Sequence, residues 1–248
     1  MNFAGTTILV TGAASGIGLA TARHLADLGA GKLILMDRNG EALAGLSLRC
    51  ETRLLVGDVA DEALWADAEL GPLDHAVLNA GVTGAGAIAD LPFAEWRRVL
   101  SVNLDGLFLS LRASLHAIRE GGSIVVTASA SGLKATRNVA AYGASKAAAI
   151  QLTKVAALEA AERRVRVNAI APGGVETAMW ETQDWFRDLA GTHGREGAYR
   201  AIAEGGTPLG RFARPEEIAA QIAFLLSNEA SGTMTGTVLV SDGGYLAG

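Results

Sequence analysis

Seven short apolar runs punctuate the chain: TTILVTG (6–12), KLILMD (32–37), TRLLVGD (52–58), LDHAVLNAG (73–81), GSIVVTASA (122–130), RVRVNAIAPG (164–173) and GTVLVSDGG (236–244). Each is continuously apolar rather than alternating with polar residues, the pattern of strands covered on both faces. Between them lie stretches rich in Ala, Leu, Glu and Arg with helical periodicity. Strand and helix in alternation predict a parallel sheet with helices on either side. No composition break long enough for a linker interrupts the pattern, so residues 1–248 read as a single α/β domain, doubly wound and Rossmann-type, with a seven-stranded parallel sheet. The crossovers between 38 and 72 leave room only for modest helices near 40–48 and 61–70. Two longer helical stretches, roughly 93–119 and 140–161, carry apolar or small residues around more of their circumference than burial on one sheet requires, which predicts a second packing surface. The longest stretch without a strand signal, roughly 176–230, contains a candidate substrate lid at 178–207.

Composition narrows the functional classes. A chain of 248 residues, 50% hydrophobic, buries one substantial core. A net charge of -5 with no long basic run argues against a nucleic-acid partner or an anionic membrane surface. No apolar run reaches the roughly 18 residues of a membrane helix. A single cysteine, Cys50, excludes an internal disulfide framework, and the N-terminal segment lacks a basic leader region, so a cytoplasmic protein is expected. No metal site is read from the residues.

The first apolar run continues as ILVTGAASGIGLATARHLADLGA, which gives strand, glycine turn and helix in that order. Gly12, Gly16 and Gly18 meet the demands of a dinucleotide loop: a tight turn, close approach of backbone to a pyrophosphate, and free N–H groups, including that of Ile17, at a helix N-terminus. Ser15 adds a hydroxyl donor. Asp37 ends the second strand about 20 residues after the loop, where a carboxylate accepts hydrogen bonds from ribose hydroxyls. Beside that carboxylate a 2′-phosphate meets like-charge repulsion, so NAD(H) is expected over NADP(H), with the neighbouring Arg38 as the group that would partly compensate a phosphate.

A second constellation lies in AAYGASKAAAI (140–150), where Tyr142 and Lys146 stand one helical turn apart on the same face. A free phenol has a pKa of about 10, and bringing it near 7 takes about 4 kcal/mol of preferential phenolate stabilisation. A fixed ammonium close by, together with the positive charge of an oxidised nicotinamide, supplies much of that. Ser129, at the end of a strand in VVTASASG, falls at the crevice where ligands of doubly wound sheets bind.

Through these residues and the motifs around them, the chain resembles the short-chain dehydrogenase/reductase family over essentially its whole length. The matching pieces are TGAASGIG (11–18), GDV with Asp58 and Val59, NAG (79–81), SVNLDG with Asn103, Ser129, YGASK, PGGVET (172–177) and SDGG (241–244). The resemblance implies that Tyr142 exchanges a proton with the substrate oxygen, Ser129 positions that oxygen, and Lys146 lowers the tyrosine pKa and holds the nicotinamide ribose. It implies that Asn103 anchors a proton-relay water and that Asp58 and Val59 hold the adenine. Asn79, Ala80 and Gly81 would lie along the cofactor, followed by Pro172 and Gly173, while the Val175 backbone and the Thr177 hydroxyl hold the carboxamide. The family's common NNAG reads LNAG here, with Leu78 in first place. The resemblance also implies a homotetramer built on the helices near 93–119 and 140–161.

Substrate class rests on the lid. Trp180, Trp185, Phe186 and Tyr199 are a dense set in a chain with 5% aromatics, suited either to closing over an apolar substrate or to pinning the lid to the body. Acidic residues outnumber basic ones in the segment, which points away from a phosphorylated or carrier-bound acyl group. A neutral, fairly hydrophobic secondary alcohol or ketone is therefore expected, its pocket completed near 81–87 and 133–138. Glycines 191, 194, 197, 205 and 206 are candidate hinges for lid closure. The competing readings are an NADPH-dependent 3-oxoacyl thioester reductase and a non-catalytic dinucleotide-binding sensor.

Overall fold

The computed structural model describes all residues, 1–248. Seven parallel strands pair in the order β3-β2-β1-β4-β5-β6-β7. They are β1 (Thr7–Thr11), β2 (Lys32–Asp37), β3 (Glu51–Val56), β4 (Leu73–Leu78), β5 (Ile118–Thr127), β6 (Arg166–Pro172) and β7 (Val238–Ser241). The helices are α1 (Gly16–Asp27), α2 (Gly40–Ala44), α3 (Glu62–Asp67), α4 (Phe93–Leu100), α5 (Gly106–Ala117), α6 (Ala140–Ala160), α7 (Asp184–Gly206), α8 (Pro215–Leu226) and α9 (Asn228–Ser231).

Continuous apolar runs become strands with two buried faces because successive side chains point to opposite sides. Ile8 and Val10 of β1, Leu33 and Leu35 of β2, and Val77 of β4 pack with Leu25 of α1 and Ile218, Ile222 and Leu226 of α8. Leu9, Ile34, Met36, Ala76 and Leu78 face the other way, into a core closed by Leu107 and Leu111 of α5 and Ala149 and Ala156 of α6. The outermost strand departs from the expectation of cover on both faces. β3 lies at the sheet edge and alternates, leaving Val56 51% exposed, because the short crossovers α2 and α3 are too small to cover it.

Two further boundaries differ from the sequence reading. The stretch near 93–119 is not one helix: α4 and α5 are separated by a π-helical turn, Ser101–Asp105, and the strand β5 already begins at Ile118. Strands β4 and β5 end at Leu78 and Thr127, short of the expected limits, so Asn79–Gly81 and Ser129 lie in the loops beyond the strand ends. The order of strands across the sheet reverses between β1 and β4, the two parallel strands from which the crossovers leave in opposite senses, and the crevice beyond their carboxyl ends is where open α/β sheets bind ligands. No helix is long and apolar enough to cross a membrane.

At the opposite end of the sheet, His75 is buried against the edge of Phe3, with ring centroids 5.4 Å apart. The Ser123 hydroxyl donates its proton to the Leu226 carbonyl at 2.8 Å, so the 2.8 Å contact from His75 Nδ1 to Ser123 Oγ has the imidazole as donor. Burial, with the Arg166 charge acting in the same sense against an opposing Asp74, lowers His75 to about 4 from 6.5. The unfolded imidazole takes its proton near 6.5 and the folded one only near 4, so the unfolded state binds more protons between those values. The His75 contribution to stability is therefore complete above 6.5 and lost as pH falls toward 4. A thermal melting series over this window is expected to show a falling midpoint, with a shallower slope in His75→Gln. In denaturant titrations Leu35→Ala is expected to cost about 2–5 kcal/mol, and Val56→Ala, on the exposed edge, less than about 0.5 kcal/mol.

Candidate active site

The glycine loop takes its shape from backbone geometry no other residue adopts cheaply. Gly12 and Gly16 have φ of +68° and +52°. A Cβ at Gly18 would collide with the Gly12 carbonyl and lie 2.8 Å from Asn79 Nδ2, so the start of α1 packs flush on the loop. Ser15 occupies the N-cap of α1 without a side-chain cap bond, and the first turn holds no acid. The N–H groups of Gly16, Ile17 and Gly18 find no protein acceptor and carry the positive end of the helix dipole. That arrangement fits a pyrophosphate.

A residue for which the sequence reading assigned no role holds the crevice together. Thr11 Oγ1 accepts from both Asn79 N, at 2.9 Å, and Ala80 N, at 3.1 Å. In return Asn79 Nδ2 donates to the carbonyls of Thr11 and Gly12 at 3.3 and 3.4 Å. The only sequence signal for Thr11 is its place before Gly12, since its partners lie far along the chain. Asp37 is similarly committed: Oδ2 accepts from Ala14 N and Oδ1 from Asn39 N, each at 3.0 Å. Its carboxylate is thus oriented beside the loop, while Arg38 is exposed and takes part in none of the ion pairs. Farther along the crevice, Asp58 Oδ1 accepts from Ala60 N at 2.9 Å, and buried Val59 is fixed by a 2.8 Å bond from Trp65 Nε1 to its carbonyl.

Asn103, Lys146 and Tyr142 converge. Lys146 is only 5% exposed, and its ammonium donates to the Thr127 carbonyl at 2.8 Å while lying 5.8 Å from the Tyr142 ring centroid. Asn103, in the π-helical turn, accepts from Val82 N at 2.8 Å and donates to Val82 O at 2.9 Å and to Ser145 Oγ at 3.1 Å. Its amide thus ties the loop after β4 to α6. A Cβ at Gly81 would approach both Asn103 Oδ1, at 3.3 Å, and Lys146 Nζ, at 3.4 Å, which places these two groups side by side beneath that glycine. Ser129 is buried, its hydroxyl accepting from Ser131 N at 3.2 Å and retaining its proton to donate. Burial pushes the Tyr142 phenol up, with the Ser129 hydroxyl pulling the other way, and burial brings Lys146 down to about 8. The surrounding protein thus favours neutral forms of both groups.

After β6 the chain crosses the crevice as a strap. Gly173 N bonds to Ser241 O at 2.9 Å, and Val175 pairs with Ala213 through bonds from Ala213 N to Gly174 O and from Glu176 N to Ala213 O. Val175 is buried, yet its N–H has no acceptor in the protein. A Cβ at Gly16 would lie 3.2 Å from Thr177 Cγ2, so the strap reaches the glycine loop. The candidate lid segment is a short 3-10 turn, Trp180–Thr182, followed by α7, which kinks at Gly194 (φ 70°, ψ 165°); the other candidate hinge glycines within α7 stay helical. Of the lid aromatics, Phe186 and Tyr199 are buried, Trp180 half-buried and Trp185 exposed. They pack mainly on one another and on Phe212.

The profile of a family described as enoyl-(acyl carrier protein) reductase matches residues 12–246. Among curated proteins, the cis-4-hydroxycyclohexanecarboxylate dehydrogenase of Sinomonas cyclohexanicum is 37% identical over 265 aligned positions, covering 99% of this chain and 98% of the relative. Among solved structures, levodione reductase superposes with a TM-score of 0.89 at 35% identity, covering 99% of each chain. The L-sorbose reductase of Gluconobacter frateurii, complexed with NADPH and L-sorbose, superposes with a TM-score of 0.91 at 26% identity over 100% of this chain and 98% of that one. The chain belongs to the short-chain dehydrogenase/reductase family. It is an oxidoreductase of the kind that uses a nicotinamide dinucleotide, and its relatives are dehydrogenases and reductases of secondary alcohols and ketones.

Thr11→Val removes one acceptor serving two amides. Leaving buried donors unmet costs about 1–3 kcal/mol, so this variant is expected to show a lower denaturation midpoint and weaker dinucleotide binding, both measurable on the purified protein.

Proposed function

We propose that this chain catalyses reversible, NAD(H)-dependent interconversion of a secondary alcohol and its ketone, the substrate being neutral and fairly hydrophobic. The observation that carries the reading is the buried Lys146 ammonium set beside the Tyr142 ring and Asn103 at the mouth of a dinucleotide crevice. The free N–H groups of Gly16, Ile17 and Gly18 suit the pyrophosphate, with Ser15 beside them, and the unpaired Val175 N–H and the Thr177 hydroxyl suit the carboxamide. Asp58 and Val59 take the adenine side, and Asn79, Ala80, Gly81, Pro172 and Gly173 line the path between. When bound, the nicotinamide donates or accepts the hydride.

The chain's own residues then handle orientation and the proton. Ser129 donates a hydrogen bond to the substrate oxygen, and Tyr142 gives that oxygen a proton during ketone reduction or removes one during alcohol oxidation. Burial raises Tyr142, so protein groups alone hold it as the acid, ready for reduction. Oxidation needs the phenolate, which Lys146 and the cofactor's positive charge stabilise together. Lys146 also holds the ribose, and Asn103 Oδ1, with one lone pair engaged by Val82 N, keeps another for a relay water.

NAD(H) is favoured by Asp37, whose carboxylate is aimed by two backbone N–H groups, while the exposed Arg38, free of ion pairs, is the one neighbouring group that would offset the repulsion of a 2′-phosphate. A 2′-phosphate there would be repelled. The ring alcohol draws on the Sinomonas dehydrogenase's name, whose substrate also carries a carboxylate; the neutral character rests on the acidic lid alone, where Arg195 pairs with Glu181 at 2.7 Å and Arg187 pairs with Asp184. An NADPH-dependent 3-oxoacyl thioester reductase is the second reading, favoured by the acyl-carrier substrate in the family description. The acidic lid disfavours it, since acids outnumber bases there and pair with Arg187 and Arg195, which leaves Arg200 as the lid arginine without an ion pair to meet a carrier phosphate.

The assembly proposed is a cytoplasmic homotetramer. α5 and α6 expose Phe108, Val155 and Leu158, the last 80% exposed, beside a hollow of about 490 Å³ lined by Leu104, Phe108, Leu109 and Leu152 among others. A monomeric mass in sedimentation at micromolar concentration would overturn this assembly.

The deciding measurement is the initial rate of nicotinamide absorbance change over a panel of ketones and secondary alcohols, with NAD(H) and with NADP(H). Turnover with NAD(H) is expected, falling by about 10²–10⁴-fold in Tyr142→Phe; faster turnover with NADP(H) would reverse the reading of Asp37. In pH profiles, kcat/KM for alcohol oxidation is expected to rise with pH as Tyr142 loses its proton. Lys146→Met should shift that rise to higher pH, and an unshifted profile would remove Lys146 from the acid/base role.

A further inference from the structure

The lid aromatics do not stand over the crevice as free walls. Trp180 stacks on Phe212 at 5.2 Å between centroids, and Tyr199 packs on Phe186 at 5.0 Å and on Phe212 at 6.2 Å. Phe212 lies directly beneath the strap, where a Cβ at Gly174 would collide with its ring. The polar handles of the two amphipathic aromatics, Trp180 and Tyr199, turn to the strap's backbone. Trp180 Nε1 donates to Val175 O at 2.8 Å and Tyr199 Oη donates to Thr177 O at 3.0 Å. The same carbonyls also receive backbone donors, Thr177 N at 2.8 Å on Val175 O and Trp180 N at 3.2 Å on Thr177 O. Val175 O and Thr177 O, two of the three carbonyls of the strap, therefore each receive two donors, while the Val175 N–H remains free.

We infer that Trp180 and Tyr199 are positioning residues that set the orientation of the strap Val175–Thr177 and, through it, of the nicotinamide half of the cofactor. The inference rests on the reading of the strap as the carboxamide site. A peptide unit whose carbonyl is pinned has its N–H direction fixed on the opposite side, because the unit is planar. Pinning Val175 O fixes the plane it shares with the Glu176 N–H, and pinning Thr177 O the plane it shares with the Ala178 N–H. The free Val175 N–H lies in the preceding plane, whose Gly174 carbonyl is held by Ala213 N, so Trp180 acts on it from across the Val175 Cα, and both aromatics act on the Thr177 side chain lying against Gly16. The kink at Gly194 turns the second half of α7 so that Tyr199 reaches back to Thr177, and Arg195 lies 5.8 Å from the Tyr199 ring centroid while pairing with Glu181 next to Trp180. The start and middle of the lid are thereby joined to one another and to the strap, so the lid and the nicotinamide site move as one unit.

Trp180→Phe and Tyr199→Phe each remove one donor and keep an aromatic ring in the cluster. Calorimetric titration with NADH and, separately, with ADP-ribose, which contains the adenosine and pyrophosphate portion but no nicotinamide, isolates the strap's contribution. For each variant NADH affinity is expected to fall about fivefold to tenfold, with kcat reduced, while ADP-ribose affinity stays within about twofold of the parent. Unchanged NADH affinity in both variants, or equal loss for both ligands, would overturn the assignment, the latter because it marks general loosening of the fold. If the parent chain itself binds ADP-ribose no more weakly than NADH, the reading of the strap as a nicotinamide site fails, and the assignment fails with it.

Discussion

Everything functional in this molecule depends on how β1 and β4 part company. The two strands are hydrogen-bonded neighbours as far as Thr11 and Leu78, and beyond that point they diverge because the crossovers leave in opposite directions. Diverging strand ends strand their last amides, and buried N–H groups without acceptors are costly. A single hydroxyl, Thr11 Oγ1, takes both amides on the β4 side, and Asn79 returns two bonds to the β1 side. The opening is held at a width that admits the backbone of the glycine loop, with Gly18 pressed against Gly12. The phosphate site, the loop above Asn103 and the lysine beneath Gly81 are all hung from that junction.

The electrostatics of the site are less accommodating than its geometry. Desolvation dominates both partners, raising Tyr142 and lowering Lys146, and no carboxylate offsets the buried ammonium. Its one protein acceptor is the Thr127 carbonyl. A buried cation with one neutral partner is a poor structural element. Under the proposed function the placement is intelligible, because the hydroxyls of the dinucleotide ribose supply the acceptors that the protein does not.

The inner strands and the glycine loop were legible because their signals are local: runs apolar on both faces, and glycines where the backbone takes positive φ. Tyr142, Lys146 and Ser129 were legible through spacing and position at the sheet end. What escaped is decided at long range. Edge exposure of β3 follows from how little α2 and α3 cover, which no property of its own residues announces. The break between α4 and α5 reflects the demand that Asn103 reach Val82 and Ser145, contacts 21 and 42 residues away. Trp180 and Tyr199 read as substrate walls or lid pins with equal right, and only their bonds to Val175 and Thr177 separate the two.

The double-sided cores carry one more implication. In a strand with one wet face, a slip of one residue exposes apolar side chains and is rejected on that ground alone. β1, β2, β4 and β5 are apolar on both faces, so hydrophobicity tolerates such a slip. The polar atoms at the strand ends discriminate instead: Thr11 against Asn79, Asp37 against Ala14, and the Thr127 carbonyl against Lys146. The residues of the proposed site are thus also the alignment marks of the sheet. Selection for altered chemistry at these positions is tied to selection for correct assembly, which leaves the lid and the loops around it as the places where specificity is free to drift.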